Sequence, residues 1–367
     1  MEKGEDKMFI GMEKGAKRDL VRDQRIAKVV ELVPPERLLA ELELGERRAK
    51  EVVRSREEVV EVLQGEDDRL MVVVGPCSVH DPKAALEYAT RLAHLKRQLE
   101  DRLLIVMRVY FEKPRTTTGW KGLINDPHLD GSGDVNAGLR IGRKLLLDVL
   151  DLGLATGCEF LDPITPQYIA DTVAWGAIGA RTTESQTHRQ LGSGLSMPIG
   201  FKNRTDGNVQ VAVDAVRAAA ASHAFAGIDD AGQPAILHTT GNPDCHVILR
   251  GGNGVPNYHV PEVEDALVTL GIAGLPERLV IDASHDNSGK DPERQFFAAG
   301  EIADQVADGN GAIVGVMLES FLVEGRQDLR PGEQLTYGQS ITDPCIDWRH
   351  TVSALERFAA AVEARRG

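Results

Sequence analysis

Eight short apolar runs, mostly separated by stretches of helical periodicity, constrain this chain more than any other feature. The runs span residues 70–75, 103–107, 154–157, 177–180, 197–201, 247–249, 279–283 and 312–318. Several are rich in Val and Ile, which suits strands buried on both faces of a parallel sheet. Helix-like stretches at 82–99, 137–150, 166–175, 208–221, 260–270 and 291–307 lie between them. Strand and helix alternating eight times predict a (β/α)8 barrel, whose catalytic residues stand at the C-terminal ends of the strands. A doubly wound open sheet uses the same alternation. Eight strand ends that carry one kind of chemistry favour closure.

That chemistry is ionic. In order, the runs lead to Cys77, Arg108, Glu159, Arg181, Lys202, Arg250, His285 and Glu319. The segment KPRTTTGWKG, starting at Lys113, adds Lys113, Arg115 and the hydroxyl of Thr116 just beyond the second run. Six cations on neighbouring strand ends are unfavourable by themselves. At about 6 Å, two like charges repel by roughly 2–3 kcal/mol at an effective dielectric near 20. The cluster therefore predicts substrates carrying several negative charges, with Arg offering planar forks and Lys point charges. The alternative is that some of these cations pair with Glu159, Asp162 or Glu184.

A metal site in a barrel draws its ligands from separate strand ends, so no local motif betrays it. Cys77, His285, Glu319 and Asp343 are each placed to converge. Taken singly, a cysteine is more often a buried apolar residue and a histidine a satisfied one. As a set, one S, one N and two O donors would suit Zn2+, Fe2+, Mn2+ or Co2+.

Composition sets outer limits. The chain has 367 residues and a net charge of −14. That length accommodates one barrel of about 250 residues plus additions. An acidic surface argues against nucleic acid as a partner, because affinity there rests on phosphate neutralisation. No run approaches the roughly 18 consecutive apolar residues of a membrane span. The first residues lack the apolar core of a signal peptide. The four cysteines, Cys77, Cys158, Cys245 and Cys345, have neither zinc-ribbon nor disulfide-framework spacing, which implies a cytoplasmic protein with reduced thiols. Residues 1–68 are charge-rich and read as a helical extension for regulation or assembly, ahead of a catalytic barrel at 69–367. Within the barrel, 223–240 reads as an inserted β-hairpin, with apolar segments 224–228 and 235–240 around the loop DDAGQ.

Longer motifs then narrow the reading. VGPCSVHDP from Val74, MRVYFEKPRTT from Met107, GWKGLINDPH from Gly119 and AIGARTTESQ from Ala177 occur in that order. GFKN from Gly200, VILRGG from Val247, SH at Ser284 and GQSITD from Gly338 follow. From about residue 20 to the C-terminus the chain resembles type I 3-deoxy-D-arabino-heptulosonate 7-phosphate (DAHP) synthases. The family condenses phosphoenolpyruvate with erythrose 4-phosphate and releases phosphate, at the entry to the shikimate pathway. The resemblance implies metal ligation by Cys77, His285, Glu319 and Asp343. It implies phosphoenolpyruvate binding by Arg108, Lys113, Arg181, Lys202 and Arg250, and erythrose 4-phosphate binding by Arg115 and Thr116. Lys113 is suited to protonate the forming alkoxide. Glu159 is the candidate for positioning water, with a counter-ion to Arg181 as its plainer role.

The resemblance also implies a homodimer or homotetramer under feedback by one aromatic amino acid. The effector cavity would be lined by Pro166, Gln167, Leu191, Leu195, Ser196 and Phe225, with Asp23 reaching over from a neighbouring subunit. Gly227 stands where phenylalanine-sensitive relatives tend to carry Ser. It leaves room for a phenol hydroxyl and favours tyrosine, unless it merely eases the hairpin twist. Two departures are visible. Arg204 replaces the family's Gly after Lys202, and Gly133 replaces a Phe. Two other readings are an eight-carbon sugar-acid phosphate synthase and a non-catalytic subunit that senses an aromatic amino acid.

Overall fold

The computed structural model describes residues 22–115, 117, 119–330 and 332–367. The chain divides into two compact units, 1–32 and 33–367. In the first, Asp23 has a positive φ of 55° and its carbonyl accepts a hydrogen bond from Ile26 N at 3.1 Å.

The larger unit opens with α1 (Pro35–Glu41) and α2 (Gly45–Gln64), then β1 (Leu70–Gly75) and α3 (Pro82–Leu99). There follow β2 (Leu103–Arg108), α4 (Val135–Asp151), β3 (Ala155–Glu159), α5 (Pro166–Ile169), β4 (Trp175–Ile178), α6 (Gln186–Gly192), β5 (Ile199–Lys202) and α7 (Gln210–Ala219). A hairpin of β6 (Ala224–Ile228) and β7 (Pro234–His238) interrupts the alternation. Next come β8 (His246–Leu249), α8 (Val260–Ile272), β9 (Leu279–Asp282), α9 (Pro292–Ala307) and β10 (Ile313–Glu319). The short strands β11 (Val323–Arg326) and β12 (Gln339–Ser340) lead to α10 (Trp348–Arg366). Eight strands close in the order β1-β10-β9-β8-β5-β4-β3-β2 with every neighbour parallel. This is the expected (β/α)8 barrel, with helices in front and the inserted hairpin in place. Among the described residues, no helix is long and apolar enough to cross a membrane.

Local sequence explains the helix starts. Asp81 accepts from Lys83 N and Ala84 N, and Pro82 at the first helical position supplies the required φ. Asp134, Asp291 and Asp347 cap α4, α9 and α10 in the same way. One helix is shorter than its sequence pattern predicts. Residues 166–175 were expected to be helical, but α5 stops at Ile169 and β4 begins at Trp175. Arg56 on α2 donates to the carbonyls of Ala170 (2.8 Å) and Val173 (3.0 Å), satisfying groups that a longer helix would use. Trp175 is needed inside the barrel, where a Cβ on Gly157 would stand 3.2 Å from its ring.

The interior follows the strand period of two. Met71, Val73, Leu104, Val106, Ala155, Trp175, Ala177, Ile248, Val280 and Met317 belong to one buried cluster. Val59, Val62 and Leu63 of α2 join that cluster, so α2 packs against the barrel core. Continuing the same alternation to the strand ends brings Arg108, Glu159, Lys202, Arg250, Asp282 and Glu319 to the C-terminal rung.

Candidate active site

Above that rung lies a cavity of about 240 Å3. Cys77, Lys113, Arg115, Glu159, Arg181, Lys202, Arg250, His285 and Asp343 all line it. Arg108 and Glu319 are buried and joined to each other, Arg108 Nη2 donating to Glu319 Oε1 at 3.1 Å. The strand-end residues singled out in the sequence are thus brought together by barrel closure. Gly179, which continues β4, leaves space for one of them. A Cβ there would lie 2.3 Å from Glu159 Oε1. Thr116 lies outside the described residues.

The cations fall into two sets. Lys202 Nζ donates to Asp282 Oδ2 at 2.8 Å, Arg250 Nη1 to Asp286 Oδ2 at 2.5 Å, and Lys290 Nζ to Asp343 Oδ1 at 3.1 Å. Lys113, Arg115 and Arg181 form no ion pair among the described residues. The Lys113 ammonium stands 5.6 Å from the centre of the Tyr110 ring. Arg115 Nε donates to the Trp120 carbonyl at 2.9 Å, and Arg181 Nη1 reaches the Pro114 carbonyl at 3.5 Å. The carboxylates that do pair are therefore Asp282, Asp286, Glu319 and Asp343. Glu159, Asp162 and Glu184 are not used in this way. Glu184 instead holds Arg204 at 2.7 Å, so the side chain that replaces the family's glycine is tied off at the rim.

Burial and charge act against each other here. Burial alone would depress Lys113, but Cys77, Glu319 and Glu159 outweigh it and raise its pKa, so it stays protonated. Burial, helped by Glu319, pushes the Cys77 thiol up to about 11. Burial also works against the Asp343 carboxylate, yet His285, Lys113 and Lys290 hold it down to about 2. Arg108 Nη1 and Arg250 Nε are buried without a hydrogen-bond partner. Buried donors of that kind cost about 1–3 kcal/mol each unless a ligand satisfies them.

Three of the four candidate metal ligands pass a geometric test. Donor atoms of Cys77, Glu319 and Asp343 all lie within 4.8 Å of one another. His285 is not one of that trio, though its Nε2 stands 3.7 Å from Glu319 Oε1, next to it. One thiol, one imidazole and two carboxylates fit a divalent transition ion better than Mg2+ or Ca2+, which prefer oxygen alone.

The expected effector residues sit elsewhere, on α5, around the end of α6 and on the hairpin. Gln167 Nε2 donates to the Ile228 carbonyl at 3.3 Å, and Ser193 Oγ lies 2.7 Å from Thr239 Oγ1. These contacts tie the stretches bearing Pro166, Leu191, Leu195, Ser196 and Phe225 together. Gly227 faces Leu237, and a Cβ there would meet Leu237 Cδ1 at 2.6 Å. Its lack of a side chain serves the hairpin's own packing as well as any ligand. Asp23 belongs to the other compact unit.

Sequence reasoning missed Asp282, Asp286, Lys290 and Glu112. Asp282 had a signal, since a lone acid inside the apolar run 279–283 is costly unless paired. Asp286 and Lys290 lie in a loop, and only the fold reveals their partners.

Fold and site together define a class, a (β/α)8 barrel that gathers cations and candidate metal ligands on its C-terminal face. The model of the DAHP synthetase I family matches residues 46–356. The chain is 56% identical over 345 residues to the Phe-sensitive phospho-2-dehydro-3-deoxyheptonate aldolase of Escherichia coli strain K12, covering 94% of this chain and 98% of that protein. It is 56% identical over 341 residues to the Trp-sensitive aldolase of Enterobacter agglomerans, covering 93% and 98%. A solved phospho-2-dehydro-3-deoxyheptonate aldolase from Francisella tularensis SCHU S4 superposes with a TM-score of 0.91 at 50% identity, over 93% of this chain and all of that one. The chain belongs to the class I DAHP synthase family and is an enzyme.

Proposed function

We propose that this enzyme condenses phosphoenolpyruvate with erythrose 4-phosphate and water to give DAHP and phosphate, the first step of the shikimate pathway. The observation that carries this reading is the cavity with three unpaired cations, Lys113, Arg115 and Arg181, beside a converging S, N and O donor set. Arg108, Lys113, Arg181, Lys202 and Arg250 bind phosphoenolpyruvate, which carries both a carboxylate and a phosphate. Arg115, with Thr116, takes the phosphate of the aldose and so points its aldehyde inward. Cys77, His285, Glu319 and Asp343 would hold a divalent ion of Mn, Fe, Co or Zn. Such an ion supplies Lewis-acid polarisation of an aldehyde oxygen, worth several kcal/mol of charge stabilisation.

The protein's own groups do the rest. Lys113 carries a firmly held proton and delivers it to the oxygen that becomes an alkoxide as the carbon–carbon bond forms. Cationic character then develops at C2 of phosphoenolpyruvate. Glu159, buried at the end of β3, orients the water that adds there. The hemiketal phosphate then breaks down with cleavage of its C–O bond, and the surrounding guanidinium groups hold the departing phosphate.

An aromatic amino acid is the proposed feedback effector, with tyrosine favoured over phenylalanine and tryptophan. Support comes from the hairpin contacts with α5 and the end of α6, and from Gly227. Residues 1–68 are assigned to regulation and to assembly of a homodimer or homotetramer, with 69–367 as the catalytic barrel. All four cysteines are free thiols, which fits a reducing, cytoplasmic setting.

Phosphate release from the purified chain tests the reading. It is expected only with both substrates present, to stop in excess chelator, and to return with Mn2+ or Fe2+. Full activity in chelator would sink the metal role. Turnover with arabinose 5-phosphate in place of erythrose 4-phosphate would favour the eight-carbon synthase. Inactivity of the chain alone under every metal would favour a sensing subunit. Initial rates against each aromatic amino acid at millimolar concentration identify the effector.

A further inference from the structure

We propose that Asp282 is a positioning residue that couples the metal-ligand set to the anion subsite, so that a divalent ion and phosphoenolpyruvate bind cooperatively. This rests on the roles proposed above for His285 and Lys202. Asp282 ends β9 and is wholly buried. Its Oδ2 accepts from Lys202 Nζ at 2.8 Å and lies 2.9 Å from His285 Nδ1. A single carboxylate oxygen therefore serves one residue from each set. The other oxygen, Oδ1, is pinned by Ser284, which donates from its backbone N at 3.0 Å and from its Oγ at 2.5 Å.

The donor inventory fixes the histidine's tautomer. A lysine ammonium only donates and a carboxylate only accepts, so the His285 proton must sit on Nδ1. Ser284 Oγ lies 2.7 Å from the same nitrogen. Because that hydroxyl already donates to Asp282, it too can only accept from Nδ1. In the neutral ring, the form that can bind a metal, Nε2 then carries the lone pair on the side of Glu319, next to Cys77 and Asp343. His285 has a positive φ of 58°, rarely adopted by a residue with a side chain, and the turn folds its ring back onto Asp282 three residues earlier.

The coupling follows from the shared oxygen. A cation on Nε2 draws density from the ring and strengthens the Nδ1–H···Oδ2 bond. The same oxygen then holds the Lys202 ammonium less tightly and leaves it freer for an incoming carboxylate or phosphate. By linkage, the anion must favour the metal by the same factor. Direct attraction between metal and anion has the same sign but does not pass through Asp282. A test must separate the two.

Calorimetry on the metal-free full chain, with phosphoenolpyruvate as probe and no second substrate, does so. In the wild type, saturating Mn2+ is expected to tighten phosphoenolpyruvate binding at least about fivefold, with a reciprocal gain in Mn2+ affinity. Asp282→Asn keeps the shape and removes the charge. Its ratio should fall to about twofold or less, while Mn2+ affinity measured alone drops about 10–100-fold. Ser284→Ala removes the hydroxyl from Oδ1 and from His285 Nδ1 but keeps the backbone N–H on Oδ1 and both partners of Oδ2, and should give an intermediate ratio, which keeps the test decisive if Asp282→Asn does not fold. A wild-type ratio of one, or a ratio unchanged in both variants, overturns the coupling. A wild type that binds no phosphoenolpyruvate under either condition overturns the functional reading itself.

Discussion

The two arcs of the cavity rim differ in how their positive charge is held. On one arc, Lys202, Arg250 and Lys290 each rest on a carboxylate at 2.5–3.1 Å. On the other, Lys113, Arg115 and Arg181 have no carboxylate partner among the described residues. The first arc is assembled by folding, and its charges are offset before any ligand arrives. The second keeps its cations without ion pairs of their own, and a multiply anionic ligand would supply them. Residues of the paired arc should therefore matter to stability as much as to binding. Those of the open arc should matter to binding and chemistry alone.

The largest expected effect is on turnover. Lys113→Met should lower kcat by about 10²–10⁴-fold, the usual contribution of a positioned general acid. Steady-state rates with both substrates saturating measure it. A variant that changes only KM would reduce the open arc to a binding surface. The next effect separates the arcs directly. Lys202→Met takes one charged partner from buried Asp282, leaving it to His285 and Ser284, and should cost about 1.5–3 kcal/mol of stability, as losing a buried hydrogen bond between charged groups does. Arg181→Met removes an exposed, unpaired cation and should stay within about 0.5 kcal/mol of the wild type. Both should weaken phosphoenolpyruvate binding. Equal denaturant midpoints for the two variants would erase the distinction.

The same distinction marks how far the sequence could be read. The barrel was legible because its strands are short apolar runs and its helices carry their own caps, such as Asp81 and Asp291. The cations were legible because most end or directly follow an apolar run, with Lys113 and Arg115 on the loop just beyond one. Their partners were not. Sequence reasoning offered Glu159, Asp162 and Glu184, whereas closure sets Lys202 on β5 against Asp282 on β9, two strands away around the barrel. Such pairings depend on which strands become neighbours, a tertiary fact with no local signature. Trp175 shows the same limit. Its place inside a helix-like stretch hid a strand residue whose indole Nε1 donates to His246 Nε2 at 3.1 Å, likewise two strands away around the barrel.

Within the open arc, the two substrates should be separable. Arg115→Ala removes one charge-assisted phosphate contact and should cost about 1.5–3 kcal/mol in kcat/KM for erythrose 4-phosphate. The dissociation constant for phosphoenolpyruvate should stay nearly unchanged, because Arg115 is assigned to the aldose phosphate alone. Equal losses for both substrates would mean that the arc is one undivided anion site.

The smallest effect per step is a pH dependence whose sign differs between the arcs. Glu112, beside Lys113, accepts from Thr165 Oγ1 at 2.9 Å and Asp162 N at 3.3 Å, tying the loop after β2 to the loop after β3. Burial pushes this carboxyl from about 4.5 up to about 8, against the pull of those hydrogen bonds. Between these values the unfolded chain has released the proton and the native one still holds it, so stability falls as pH rises. The slope is at most about 1.4 kcal/mol per pH unit. In the paired arc Asp343 is held down to about 2, so its contribution is complete above its ordinary value of 3.8 and is lost only as pH falls toward 2. Denaturant midpoints of metal-free protein from pH 5 to 8 should thus decline for the wild type and flatten for Glu112→Gln. Parallel curves would show that Glu112 is ionised in the native state. The loop that presents Lys113 would then rest on a buried charge.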